Sequence, residues 1–532
     1  MLNGSLRRGA ALVTTGLAGA ALTLGGLVAV APSASAAPAD PAPAQRGAAW
    51  LAGEPAGGLV SSQYGGPDGG LTIDVALALA AVGGNGPAVQ SIADGMAGLV
   101  DAGGYVSGEE YGDAGSTYAG AVAKTVVLAQ AARRDISTYG GEDFLVRLEQ
   151  VTNDEGRITD VSTYGDYANT LGQSFAARAL YDGGSEEHTI ARDFLLAQQC
   201  EEGFFRTDLG ATIAADCDAD PAAAPSTDTT ALAVLNLLSQ RTNDTVAPAL
   251  EQASRWLLAA QRPDGSFGSD ADIPTGNANS TGLAGWALGE LGHADAAAKA
   301  AVWLRARQVV NPVGQRVYLP DLGGAVAYDA ADLTLAQSGP IEPVDRDRYR
   351  RASVQAAPAL RYAPDGVSRV AQAPTRFLRA GSTQQVTGSA APGDVVGVRT
   401  AKPTVTHAGA TGSFRVRITL PSKTGMVRYQ VADSDGVLGT VTYRVLGKAT
   451  VKVVAPTSVK RGTRVVLKAR GLVNGEQATF VVGGKKVGKA VVRKGVAKLR
   501  VKVKAKPGRV KVRVNGAFAN LRHGAATVRV TR

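Results

Sequence analysis

The chain has 532 residues, of which 45% are hydrophobic, 5% aromatic and 19% charged, and its formal net charge is +10. That length allows three or four domains. Two cysteines and four scattered histidines without paired spacing argue against a zinc centre. The charge is unevenly distributed. Residues 1–369 carry 24 Lys/Arg against 42 Asp/Glu, residues 370–447 carry 9 against 3, and residues 448–532 carry 23 against 1, the single acid being Glu476. The bulk figure therefore joins an acidic body to a very basic tail, and such asymmetry points to a polyanionic partner for the tail.

Taken in chain order, Arg7 and Arg8 precede an uncharged run from Gly9 to Val30, followed by the small-residue string Ala34-Ser35-Ala36. This predicts a secretory signal peptide over 1–36 and a Pro/Ala-rich spacer over 37–44. An uncleaved membrane anchor is the alternative reading of the same run. No later segment is predicted to span a membrane. The expectation is an exported chain, extracellular or held at the cell wall non-covalently.

A phrase then repeats. Trp256-Leu257 leads through Gln261 to Gly265-Ser266-Phe267, Phe194-Leu195 leads through Gln198-Gln199 to Gly203-Phe204, and Trp50-Leu51 leads to Gly58-Leu59. Phe144-Leu145 leads to Gly156, and Gly104-Tyr105 and Trp303-Leu304 mark less regular copies. Each copy ends an apolar helical stretch, and a second helix of small residues follows. A helical hairpin repeated every few dozen residues must stack on its neighbours to bury its apolar face. Outer helices are expected near Gln45, Pro87, Gly141, Glu186, Val246 and Ala294, and inner ones near Thr72, Ser116, Asn169, Asp228, Ser280 and Arg348. The inner segment 228–238 is apolar nearly all round, as a fully buried helix would be.

With these residues in view, the region 45–365 resembles the Gln/Trp repeats of the squalene-cyclase and prenyltransferase superfamily, and the resemblance implies an α6/α6 toroid. What it implies for chemistry is tested position by position. The proton-donating Asp-X-Asp-Asp of class II terpene cyclases has its nearest string at Asp216-Cys217-Asp218-Ala219-Asp220, where Ala219 breaks it. The Asp-X-Cys zinc motif of protein prenyltransferases corresponds to Asp228-Thr229-Thr230, without the thiolate. The thioester signature Gly-Cys-Gly-Glu-Gln is not met at Cys200-Glu201-Glu202. No catalytic residue, metal ligand or cofactor is therefore expected.

Cys200 and Cys217 read as a disulfide in an oxidising compartment. Asp228 has two readings: an N-cap whose carboxylate accepts a first-turn N–H, or a member of a ring at the cavity mouth with Asn169, Asn279, Tyr118, Tyr164 and Tyr167. Tyrosines beside carboxylates also suit a glycan, so a small molecule or a glycan is expected as any toroid ligand, and a terpenoid- or polysaccharide-acting enzyme is the alternative.

From about Ala371 the period changes to two, as in 413–420 and 498–504. Two modules are expected, 371–447 and 448–532. The string Gly475–Gly488 resembles immunoglobulin-like repeats of bacterial surface proteins, which implies β-sandwiches. The fold expected is thus a multidomain α + β chain, a toroid followed by two such sandwiches. Lys498, Arg500, Lys502, Lys504, Lys511 and Arg513 are expected to form one ladder that holds an anionic cell-envelope polymer, with no specific nucleic acid.

Overall fold

The computed structural model describes residues 38–532. The expected signal segment 1–36 and the first spacer residue lie outside the described residues. The helical part comes first and the strand-rich part follows. Among the described residues no helix is long and apolar enough to cross a membrane.

The helices alternate between two sets. One set is α1 (Ala42–Ala52), α3 (Gly86–Asp101), α5 (Phe144–Gln150), α7 (His188–Leu196), α9 (Val246–Ala260) and α11 (Ala294–Arg305). The other is α2 (Gly69–Val82), α4 (Ala119–Ala131), α6 (Thr170–Gly183), α8 (Thr227–Leu237), α10 (Ala278–Glu290) and α13 (Pro343–Ala359), with a short α12 (Ala330–Leu335) before the last. In the second set each helix packs on the next, and α13 returns to α2, which closes a ring. Small residues make this close approach possible. In α10, for example, Gly282 lies against the backbone of Gln355 and Ala356 in α13.

The repeated phrase has a physical basis in this packing. Gly203 and Gly265 have φ of +105° and +90°, and a Cβ on either would run into the backbone carbonyl of Gln252 in α9 or Lys299 in α11. Only glycine meets both demands, a left-handed backbone and contact with the next helix. The glutamine before each one completes the joint. Gln199 Nε2 donates to Gly203 O and Ala249 O at 3.0 and 2.9 Å, and Gln261 Nε2 donates to Gly265 O and Ala296 O at 3.2 and 2.9 Å. Gln308 repeats the bond to Gly324 O and Pro43 O. A threonine of the following ring helix then accepts from the chain just past the glycine: Thr230 Oγ1 from Phe205 N and Thr281 Oγ1 from Phe267 N, both at 2.9 Å.

The stretch expected to be a spacer is anchored from Pro38 onward. Asp40 N donates to Ala363 O and Asp365 N to Pro38 O, and α1 has already begun at Ala42. The proline-alanine composition suggested a linker because it carries few polar anchors. The anchoring is made by these backbone groups and by the Asp40 carboxylate, which pairs with Arg305.

The strand-rich part consists of two double-sheet modules. In the first, β1 (Arg369–Val370), β3 (Thr383–Ser389) and β6 (Ser413–Thr419) face β2 (Phe377–Arg379), β8 (Val437–Leu446), β7 (Gly425–Ala432), β4 (Val395–Val398) and β5 (Thr404–His407), each sheet given in spatial order. Val386, Phe414, Val416 and Ile418 from one sheet and Val398, Val431, Val441 and Tyr443 from the other form the shared core. In the second module, β10 (Lys452–Val454), β12 (Arg464–Arg470) and β15 (Val496–Lys502) form one sheet. The other runs β11 (Ser458–Lys460), β17 (Arg522–Thr531), β16 (Gly508–Asn515), β13 (Gln477–Val482), β14 (Lys485–Val491), with β9 (Ala449–Thr450) also paired to β17.

Buried polar groups tie the parts together. Arg305, 3% exposed, reaches Asp40 at 2.8 Å and Asp394 at 3.5 Å, which joins α11 to the segment before α1 and to the first β module. Glu476, the lone acid of the tail, is fully buried and accepts from Arg522 Nε at 2.8 Å and Nη2 at 2.9 Å. Arg522 also donates to Gly447 O at 2.7 Å, which connects the two β modules.

Candidate functional site

The ring helices line an open cavity of about 740 Å³ to which all six contribute. This lies within the roughly 300–1,000 Å³ usual for small-molecule sites. The apolar part of its lining comes from Leu77, Phe175, Leu232, Leu235, Leu283, Trp286 and Val354, beside Asn169, Asn236, Ser239, Gln355 and six charged residues. Helices that are apolar on every side hide which residues face a lumen, so these positions were not separable from core by periodicity alone.

The charged side chains of the wall are paired with one another. Lys124 Nζ lies 2.7 Å from Asp74, donates to Gly70 O at 3.0 Å, and sits 5.7 Å from the centre of the Phe175 ring. Burial opposes the Lys124 ammonium, yet Asp74, with Tyr105 and Asp68, outweighs it and holds the pKa above the ordinary lysine value. Arg178 pairs with Asp182 one turn on, at 3.4 Å. Arg361 pairs with Glu290, which also accepts from Trp286 Nε1 and the Tyr362 hydroxyl, each at 3.1 Å. Burial pushes the Glu290 carboxyl up, but these three donors outweigh it and hold its pKa below the ordinary range. Glu290 is thereby kept as an ionised acceptor. None of these six charged residues was singled out from the sequence; an ionisable residue inside an otherwise apolar helix was the available signal.

Of the residues expected at the cavity mouth, Asn169 is in the lining and also caps α6, accepting from Gly172 N at 3.1 Å. The other five fall outside the lining residues. Tyr164 and Tyr167 are 62% and 74% exposed on a loop. That loop is stapled to its neighbour by Asp113, which accepts from Ser162 Oγ, Thr163 N and Thr163 Oγ1. Tyr118 is half-buried just ahead of α4.

The capping reading of Asp228 requires correction. Ser226 is the N-cap of α8 and accepts from Thr229 N at 3.2 Å, so Asp228 lies inside the first turn. One Asp228 oxygen accepts from Ser269 Oγ at 3.4 Å, and the other is buried without a hydrogen-bond partner. Burial raises its pKa, and the Ser280 and Ser269 hydroxyls oppose the rise. Likewise Asn277 caps α10, accepting from Ser280 N at 2.9 Å, while the Asn279 Oδ1 is buried and unpartnered.

The Cys200–Cys217 disulfide is present. It packs with Phe204 and against Trp256 and Ala223, and so pins the long connection between α7 and α8.

The expected basic ladder does not form a single row. Lys498, Arg500 and Lys502 are on β15 of the three-stranded sheet, Lys504 lies past the end of that strand, and Lys511 and Arg513 are on β16 of the other sheet. Between Val503 and Pro507 the chain crosses from one sheet to the other, and the cations change phase there, from even positions up to Lys506 to odd ones from Arg509. All six side chains are exposed.

No family model matches this chain, and no curated protein matches it. Among solved structures, a protein from Actinoplanes is similar at 17% identity and a TM-score of 0.41, covering 61% of this chain and 99% of its own. The type II terpene cyclase MstE from Scytonema is similar at 15% identity and a TM-score of 0.42, covering 60% and 97%. An ICAM-5 D1–D4 ectodomain fragment is similar at 13% identity and a TM-score of 0.19, covering 31% and 53%.

Proposed function

We propose that this chain is an exported, non-catalytic binding protein. In this reading the helical ring is an α/α toroid that holds an elongated, largely apolar ligand, and the two β modules are immunoglobulin-like units that carry it. The observation that supports it is the cavity wall: leucine, phenylalanine, tryptophan and valine side chains, with each lining charge neutralised by a neighbour. Such a wall suits apolar surface, since a charged ligand would have to break an ion pair to gain one. Glu290, held ionised by its three donors, is a poor proton donor at neutral pH. The disulfide is compatible with an oxidising compartment.

The test is binding of an uncharged, environment-sensitive fluorescent long-chain alcohol to the full chain, with Ala78→Trp introduced to fill the cavity. Binding by the parent and at least tenfold loss in the variant are expected. Equal binding by both would overturn the cavity as the site. A second reading, an enzyme acting on terpenoid or polysaccharide, is favoured by one observation: Asp228, a half-buried residue with raised pKa and one buried, unpartnered oxygen. Turnover of squalene, prenyl diphosphates or a wall polysaccharide that is lost in Asp228→Asn without loss of stability would establish it.

A further inference from the structure

The three-stranded sheet of the last module presents a face that alternation within any single strand does not reveal. On β12 the outward residues are Arg464, Val466, Lys468 and Arg470, while Leu467 and Ala469 are buried in the core. Register then sets cation against cation. Arg464 lies opposite Lys502, Lys468 opposite Lys498, and Lys452 opposite Arg470, while Arg500 lies opposite Val466. Seven cations share this face. Among the described residues none of them makes an ion pair, and Glu476, the single acid of the module, is buried against Arg522.

Like charges directly opposite on adjacent strands destabilise a sheet, so three such pairs call for a compensating role. Guarding an edge against strand addition is one use of exposed lysines. It does not account for Arg464, Lys468 and Arg470, because β12 is the central strand, with β10 and β15 already on its two sides. The cations of each strand recur about 6.7 Å apart, and strands are about 4.8 Å apart. A row of that period matches an extended polymer that carries one charge per monomer. The apolar members of the face are Val454, Val466 and Val496; no aromatic side chain stands among them for bases to stack on.

We infer that the outer face of β10, β12 and β15 is a binding surface for a linear polyphosphodiester without bases, such as a polyol-phosphate chain lying along the strands. Guanidinium and ammonium groups on one face would each take a phosphate, and bound counterions would be released as they do. The inference is independent of any ligand in the helical ring.

The experiment titrates the full chain with a synthetic glycerol-phosphate oligomer over a range of salt concentrations. Two triple variants are compared: Lys468→Gln/Lys498→Gln/Arg500→Gln on this face, and Arg509→Gln/Lys511→Gln/Arg513→Gln on the opposite sheet. The first should lose at least tenfold in affinity at low salt and show a shallower dependence of log K on log salt. The second, which leaves all seven cations in place, should lose less than threefold. Because the first variant relieves the Lys468–Lys498 opposition, its Tm should hold or rise, which separates lost binding from lost fold. Equal losses in both triples, or none in the first, would overturn the assignment. Tighter binding of polyglutamate or of a single-stranded oligonucleotide of matched charge would overturn the polymer class.

Discussion

The helical ring and the last β module manage charge in opposite ways. Around the cavity, Lys124, Arg178 and Arg361 are each matched by a carboxylate, and they share the wall with apolar side chains such as Phe175, Leu235 and Trp286. In the last module, 23 cations stand against one acid, and that acid is withdrawn into the interior. Pairing in the ring removes charge from a surface that faces inward. Leaving cations unpaired in the module keeps charge available on a surface that faces out. Net charge alone, +10 for the whole chain, conceals both arrangements.

The largest effect that tests this contrast is expected at Glu476. Glu476→Ala leaves Arg522 buried without its carboxylate and should cost about 3–5 kcal/mol, read by hydrogen exchange along β17. The double variant Glu476→Ala/Arg522→Ala should recover part of that. A cost below about 1 kcal/mol would show that the module tolerates unpaired charge inside as well as outside. In the ring, Cys200→Ser/Cys217→Ser should lower stability by about 3 kcal/mol on the loop-entropy model, followed by thermal unfolding; an unchanged Tm would mean that the connection is held by its other contacts.

The junction between ring and first β module supplies a pH test. Desolvation raises the Asp394 pKa from 3.8 to about 6, against the pull of Arg305 and a hydrogen bond from Ser434. A raised folded-state value means that the contribution to stability is present below about pH 4 and is lost as pH rises through about 6. Unfolding free energy should therefore fall by on the order of 2–3 kcal/mol across that window, and Asp394→Asn should flatten the profile. An equally steep profile in the variant would assign the slope elsewhere. The smallest effect concerns the first turn of α8. Ser226→Ala should cost about 1 kcal/mol, whereas Asp228→Asn at neutral pH should change stability little or raise it, since it removes a buried carboxylate. The reverse order, measured by urea denaturation, would restore Asp228 as the cap.

The helical hairpins were legible because Gln261-Arg262-Pro263-Asp264-Gly265 and its copies encode a joint with strict demands, a left-handed glycine and a glutamine that bridges two carbonyls. The disulfide was legible because Cys200 and Cys217 are the only cysteines. The cap of α8 was misplaced because Ser226-Thr227-Asp228-Thr229-Thr230 offers several capping side chains in a row, and only backbone geometry selects one. The cavity wall was missed because a lumen-facing leucine and a core leucine look alike in sequence. The cationic face was seen only in part. Strand β15 advertises itself by alternation, but Arg464, Lys468 and Arg470 join it through pairing between strands far apart in the chain.

The bond pair that joins Pro38 and Asp40 to Ala363 and Asp365, with Arg305 bridging Asp40 to Asp394, also has a mechanical consequence. The chain enters and leaves the ring at one point, so a pull between residue 38 and the first β module is borne across that junction. That load falls first on the two backbone bonds and on the Arg305 bridge.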